Sequence, residues 1–234
     1  MATRWPRCTP EWTSENISNT GIRVLTTPQW IRRFWKPLVF LLCLSPFVLL
    51  FYQWYAGSLS ANPIADITHT TGDWTLRFLM ITLGITPLRK LTGWNWLLRF
   101  RRMIGLFAFF SATLHFFTYI YLDQFFLWGE MIADVQKRPF ITIGFAAFVL
   151  MIPLALTSTD RITRWMGARR WNRLHQLIYL IALGGVIHYF WLVKADTHRP
   201  MTYGAILAAL LTARFWFAVK SRFSTRRAAV SPPA

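Results

Sequence analysis

Apolar residues fall in six long runs along the chain, each bounded by polar or charged residues. The runs cover residues 37–55, about 74–88, 103–122, 140–157, 174–193 and 201–219. A hydrocarbon core of about 30 Å takes about 20 helical residues to cross, so the runs predict membrane-spanning helices. The second and fourth are short and predict helices that borrow flanking residues such as Gly72 and Asp73. Pro46 predicts a kink in the first run, while Arg77 and Arg214 interrupt the second and sixth. No strand-like alternation and no internal repeat competes with this pattern. The expectation is an all-α polytopic membrane protein: a six-helix bundle over residues 36–220, a flexible N-terminal extension over 1–35 and a short basic tail over 221–234.

Composition agrees with that class. The chain is 54% hydrophobic, with 13 Trp and 20 Phe. A net charge of +17 in a soluble protein would suggest nucleic acid. Here the cationic residues lie between the apolar runs, so they report topology instead. Moving along the chain, the segments outside the runs hold 6, 0, 5, 2, 5 and 2 Lys and Arg residues, and the last cationic group, from Arg214 within the sixth run to Arg227, holds 5. Cytoplasmic loops of membrane proteins carry the excess of positive charge, so the alternation places both termini in the cytoplasm. The N-terminal extension does not read as a signal peptide, because the apolar run after it is too long and no small-x-small cleavage site follows. Two cysteines, Cys8 and Cys43, provide neither a disulfide framework nor a thiolate metal site. There is no Gly-rich phosphate loop.

Three histidines change the picture. His115 lies in the third run; His175 and His188 lie in the fifth. An ionisable side chain is costly in a bilayer, which makes an intramembrane histidine a functional candidate. His115 follows Arg101 by 14 residues and His188 follows Arg173 by 15. At 1.5 Å per residue both stand about 21–22 Å beyond a cytoplasmic arginine, at matching depth on different helices. His175 sits near the cytoplasmic face, about 20 Å from His188 along the helix axis, so one metal cannot bind both. On an ideal helix these two also point about 140° apart, which a bulge near Gly184–Gly185 could accommodate. Two facing imidazoles suit the axial positions of haem iron. Zinc needs three or four donors, and no Cys, Asp or Glu lies at that depth. Phe110, Phe116, Phe117, Tyr189 and Phe190 could line such a pocket, and Gly105, Ala108, Ala112, Gly184 and Gly185 could give a flat macrocycle room or let helices pack closely. Simpler roles remain open: a histidine can bridge helices by a hydrogen bond, and His175 can be a boundary residue. Arg77 can snorkel outward or pair a haem propionate, and His69 is expected on the surface of an outer loop.

The stretches NPIADITHTTGDWTLRFLMITLGITPLRK, RRMIGLFAFFSATLHFFTYIYLD, RPFITIGFAAFVLMIPLALTST and WNRLHQLIYLIALGGVIHYFWLVK together resemble the haem-binding membrane subunits of the MsrPQ protein-methionine-sulfoxide reductase systems. Those subunits, the MsrQ family, belong to the ferric-reductase-like transmembrane group, which also includes NADPH oxidases. The resemblance covers roughly Trp30 to Arg222. It implies an electron-transfer subunit rather than an enzyme with its own substrate. Electrons from the quinone pool or a cytoplasmic flavin reductase would pass through haem b, one or two per chain, to a periplasmic molybdopterin partner, MsrP, which repairs oxidised envelope proteins. It also implies haem-iron positions at His115, His175 and His188. FMN has been attached to the family, and no site for it can be located in the sequence. In NADPH oxidases the third span carries two haem histidines; here the earlier position falls near Arg101, leaving an inner haem without a second histidine. Membrane lipid is the expected surroundings, and no nucleic-acid partner is expected. Two other readings share these residues: a haem subunit of a ferric or oxygen reductase served by a separate flavoprotein, and a histidine-lined metal transporter.

Overall fold

The computed structural model describes residues 31–193 and 197–230, and the chain divides into two compact units, residues 1–38 and 39–234. Most of the N-terminal extension and the last four residues therefore lie outside the described residues. In the first unit a π-helical turn, Ile31–Trp35, runs into the start of helix α1. All three candidate histidines lie in the second unit.

Nine α-helices follow one another among the described residues, and no strand occurs there: α1 Lys36–Tyr55, α2 Pro63–Thr92, α3 Leu98–Phe117, α4 Trp128–Lys137, α5 Pro139–Leu156, α6 Asp160–Met166, α7 Ala168–Leu174, α8 Leu177–Leu192 and α9 His198–Val230. Five helical stretches are long and apolar enough to cross a membrane, at Arg33–Tyr55, Asn95–Asp123, Pro139–Leu156, Ala168–Leu192 and His198–Lys220. They turn large apolar side chains outward, Leu41, Phe51, Leu180 and Phe215 among them, as lipid-facing helices do. The protein is a membrane protein.

Helix α2 is the exception to the hydropathy pattern and the centre of the fold. It starts at Pro63, well before the apolar run at Trp74, because the chain there carries helix-start chemistry rather than apolar residues. The Asn62 side chain accepts the Ala65 N–H at 3.2 Å and Pro63 occupies the first helical position. It stops at Gly93, whose left-handed φ of 76° and N–H bond to the Arg89 carbonyl form a standard helix end. His69 is thus exposed as expected, but on this helix and not in a loop. Helix α2 packs mainly against α3 and also against α8 and α9. Its Phe78, Leu79 and Leu83 are among the most completely buried side chains described. A helix surrounded by protein needs less apolar surface than one facing lipid, so a long helix that is not among the five apolar spans can be the innermost. A second pair, α5 and α8, packs in the same way and meets the first through α3 against α5 and α2 against α8.

Two of the prolines inside helices, Pro46 and Pro87, leave carbonyls without their usual i+4 N–H donor, and side chains supply one. Pro46 orphans the Leu42 carbonyl, which takes the Ser45 hydroxyl at 2.9 Å. Pro87 orphans the Leu83 carbonyl, which takes the guanidinium of Arg214 from α9. The interruption of the sixth apolar run is therefore a helix-to-helix tie.

Candidate haem site between the two helix pairs

His115 comes from α3 and His188 from α8, and their ring centroids stand 6.2 Å apart with the ring planes at 81°. Each imidazole is held from behind by the partner helix of its own pair. His115 Nδ1 lies 2.9 Å from the Thr68 carbonyl of α2, and His188 Nδ1 lies 2.6 Å from the Phe140 carbonyl of α5. A carbonyl can only accept, so Nδ1 carries the proton in both rings and Nε2 keeps its lone pair. Metal-binding histidines show this arrangement: the backbone bond fixes tautomer and ring orientation, and the other nitrogen is left for the metal.

The residues present fit a haem iron. A metal–nitrogen bond of about 2 Å on each side, with the distance from nitrogen to ring centre, separates two opposed imidazole centroids by about 6 Å. The observed spacing meets that requirement. Among the described residues no cluster of three or more His, Cys, Asp or Glu forms, so a protein-only zinc site is short of donors, whereas a macrocycle brings its own equatorial ligands.

Several expected pocket residues lie elsewhere. Phe110 packs on Phe47 and Phe107, Phe117 and Phe190 are exposed, and Tyr189 pairs with Tyr203. The aromatic ring beside His188 is instead that of Phe140, with centroids 6.2 Å apart. Gly184 and Gly185 serve helix packing: a Cβ on Gly184 would meet Ala147 at 3.5 Å, and one on Gly185 would meet Leu76 at 3.0 Å. Arg77 ion-pairs with Asp73 at 3.6 Å, donates to the Tyr203 hydroxyl at 3.2 Å and covers the Trp74 ring.

His175 and His188 lie on one helical stretch, Ala168–Leu192, that tightens at the junction of α7 and α8, with i−3 hydrogen bonds from Gln176 to Arg173 and from Ile178 to His175. No bulge is needed at Gly184–Gly185, through which α8 runs unbroken. The His175 ring stacks on Trp171 at a centroid distance of 3.7 Å and donates from Nδ1 to the Trp171 carbonyl at 3.1 Å. Trp171 is itself anchored through its indole N–H to the Thr157 carbonyl at 3.0 Å. His175 borders a cavity of about 290 Å³ together with Arg101, Arg102, Gly105, Phe109 and Trp171. Arg101, at the position where the resemblance led one to look for a second inner histidine, thus faces the same space as His175.

The comparisons with known proteins agree with this architecture. Residues 71–186 match the family described as ferric reductase like transmembrane component. That match takes in α2 from Thr71 onward, His115 and His175, and stops just before His188. A protein of Herminiimonas arsenicoxydans named protein-methionine-sulfoxide reductase heme-binding subunit MsrQ is 52% identical over 189 residues, covering 80% of this chain and 87% of its own. Proteins of the same name from Xanthomonas euvesicatoria pv. vesicatoria and Xanthomonas oryzae pv. oryzae are 49% and 48% identical over 205 residues, covering 85% of this chain and 94% of theirs. The chain belongs to the MsrQ family. No solved structure matches it significantly. MsrQ relatives are named for haem binding, and the donor set found between α3 and α8 is of the kind haem requires.

Proposed function

We propose that this MsrQ-family subunit is an electron conduit: it passes electrons from the cytoplasmic side of the inner membrane to a periplasmic molybdopterin methionine sulfoxide reductase, MsrP. The observation that supports this best is the adjacent pair His115 and His188, each with Nδ1 tied to a backbone carbonyl, which leaves the lone pair on Nε2. In this reading they are the axial ligands of a b-type haem. When bound, that haem supplies a one-electron couple inside the low-dielectric interior.

The protein's own residues do the rest. Thr68 and Phe140 hold the two rings through their carbonyls, which favours a single ligation geometry and raises ligand basicity. Helix α2 is the sixth span in this reading; it crosses inside the bundle and keeps polar groups such as Thr71 and Thr82 away from lipid. The charge tally places the α7–α8 junction on the cytoplasmic side and the His115–His188 pair toward the periplasm. The cavity beside His175 then lies where electrons arrive. Its two arginines suit an anionic flat cofactor, a second haem or FMN, and the stacked Trp171–His175 pair forms one wall of it. The donor is a quinol or a cytoplasmic flavin reductase. Substrate chemistry belongs to the partner, and the subunit itself is not a catalyst of methionine sulfoxide reduction.

Reconstituted vesicles test the reading. With an electron donor on the side of residues 93–97 and MsrP on the side of α4, added methionine sulfoxide should reoxidise the reduced haem. Reoxidation that proceeds equally without MsrP would contradict the proposal.

A further inference from the structure

The two histidines are seated by the same local device. In each case the Nδ1–H donates to the carbonyl of a residue on the neighbouring helix, and the residue four positions further along that helix is glycine: Thr68 with Gly72 on α2, Phe140 with Gly144 on α5. The bulk of an imidazole accounts for this pairing. A helical carbonyl at position i points toward the N–H of residue i+4, so a ring that shares this carbonyl lies across the backbone at i+4. A side chain there would occupy the ring's place. A Cβ on Gly144 would stand 2.6 Å from His188 Nδ1, 2.8 Å from Cε1 and 3.1 Å from Cγ. A Cβ on Gly72 would stand 3.2 Å from both Cε1 and Nδ1 of His115. Other described glycines have no imidazole beside them, the close contact at Gly185 being with the flexible Leu76 side chain at 3.0 Å. A Cβ on Gly84 would meet a Leu210 methyl at 3.8 Å, and one on Gly184 would meet Ala147 at 3.5 Å.

We propose that Gly72 and Gly144 are positioning residues for the haem ligands, each forming with the carbonyl four residues earlier a seat that fixes one imidazole. This rests on the axial role of His115 and His188 proposed above. Displacing the ring lengthens or breaks the Nδ1–H bond to the carbonyl, and that bond sets ring orientation and ligand basicity. The consequence should therefore appear in the properties of bound haem. The two seats are unequal, because the contact at Gly144 admits no Cβ without movement, while the contact at Gly72 needs a few tenths of an ångström.

The test compares Gly144→Ala and Gly72→Ala with Gly84→Ala and Gly184→Ala in the full-length protein, reading haem content, the EPR signature of the oxidised haem and its midpoint potential. Alanine in place of a mid-helix glycine ordinarily favours the helix, so a general effect on helix stability would not single out the two seats. The expected result is haem loss or a shifted EPR signature and potential in Gly144→Ala, a smaller shift of the same kind in Gly72→Ala, and wild-type values in Gly84→Ala and Gly184→Ala. If Gly144→Ala does not accumulate, the Gly72→Ala shift decides. Wild-type EPR and potential in Gly72→Ala, or equal shifts in all four variants, would overturn the proposal. His115→Ala and His188→Ala run alongside: if they keep normal haem, the axial reading itself has failed; if they lose it while the seat variants are normal, the seats alone have.

Discussion

Arg214 on α9 ties itself to the Leu83 carbonyl of α2, with Nη2 at 2.7 Å and Nε at 3.2 Å, and the same guanidinium reaches Thr86 Oγ1 at 3.1 Å and the Tyr179 hydroxyl. The Leu83 carbonyl is available because Pro87 has no N–H to give it. Removing the arginine leaves a polar group unsatisfied inside the bundle, at a cost of about 1–3 kcal/mol. Arg214→Leu should therefore lower the thermal midpoint by several degrees, and Arg214→Lys by less, since it keeps the charge but loses the forked donor. Pro87→Ala restores an N–H at that turn, so the double variant Pro87→Ala with Arg214→Leu should lose less than Arg214→Leu does alone. Additive effects in that cycle would show that the proline and the arginine are not linked.

The seat of His175 separates its possible roles. His175→Ala should leave the spectrum of the haem proposed between His115 and His188 largely intact and still reducible by dithionite, because the proposed ligands are untouched. Reduction by the physiological donor should fall sharply, as the Trp171–His175 wall of the inner cavity is lost. Normal donor-driven turnover in this variant would make His175 an ordinary boundary residue.

Topology follows from the distribution of Lys and Arg. Reporter fusions in the 56–61 turn and in the segment before α4 should report the periplasm. Fusions at Gly93, between α5 and α6, and near residue 225 should report the cytoplasm. A cytoplasmic signal before α4 would invert the assignment of donor and acceptor sides.

Haem also acts as a ligand of the folded state, and a ligand that binds only that state raises its stability. Protein made under haem limitation should unfold at a lower temperature than the haem-replete form, and added haem should restore the difference. In His115→Ala and His188→Ala that haem-dependent increment should shrink or vanish.

Much of this was legible in the sequence. The long apolar runs gave the helices that face lipid, and counting residues from Arg101 and Arg173 put His115 and His188 at one level, where the fold brings their rings together. Hydropathy misjudged α2, since burial in protein removes the need for apolar residues and its start is written in Asn62 and Pro63 instead. It also could not show that the helix tightens at His175 and Gln176, because the run from Leu174 to Val193 has no Gly, Pro or charged residue there to mark it. The residues that seat the histidines were out of reach for a different reason. Thr68 and Phe140 lie 47 and 48 positions from the rings they hold, and which helix faces which is decided by tertiary packing. Gly72 and Gly144 carry no chemistry of their own to mark them.

The most direct test of the central claim is haem content and the reduced absorption spectrum of purified His115→Ala and His188→Ala beside the unaltered protein. The account predicts that each variant loses or severely perturbs the same b-type haem, and that added imidazole partly restores it by filling the vacated axial position. Full haem content with an unchanged reduced spectrum in either variant would show that the two histidines do not ligate one iron.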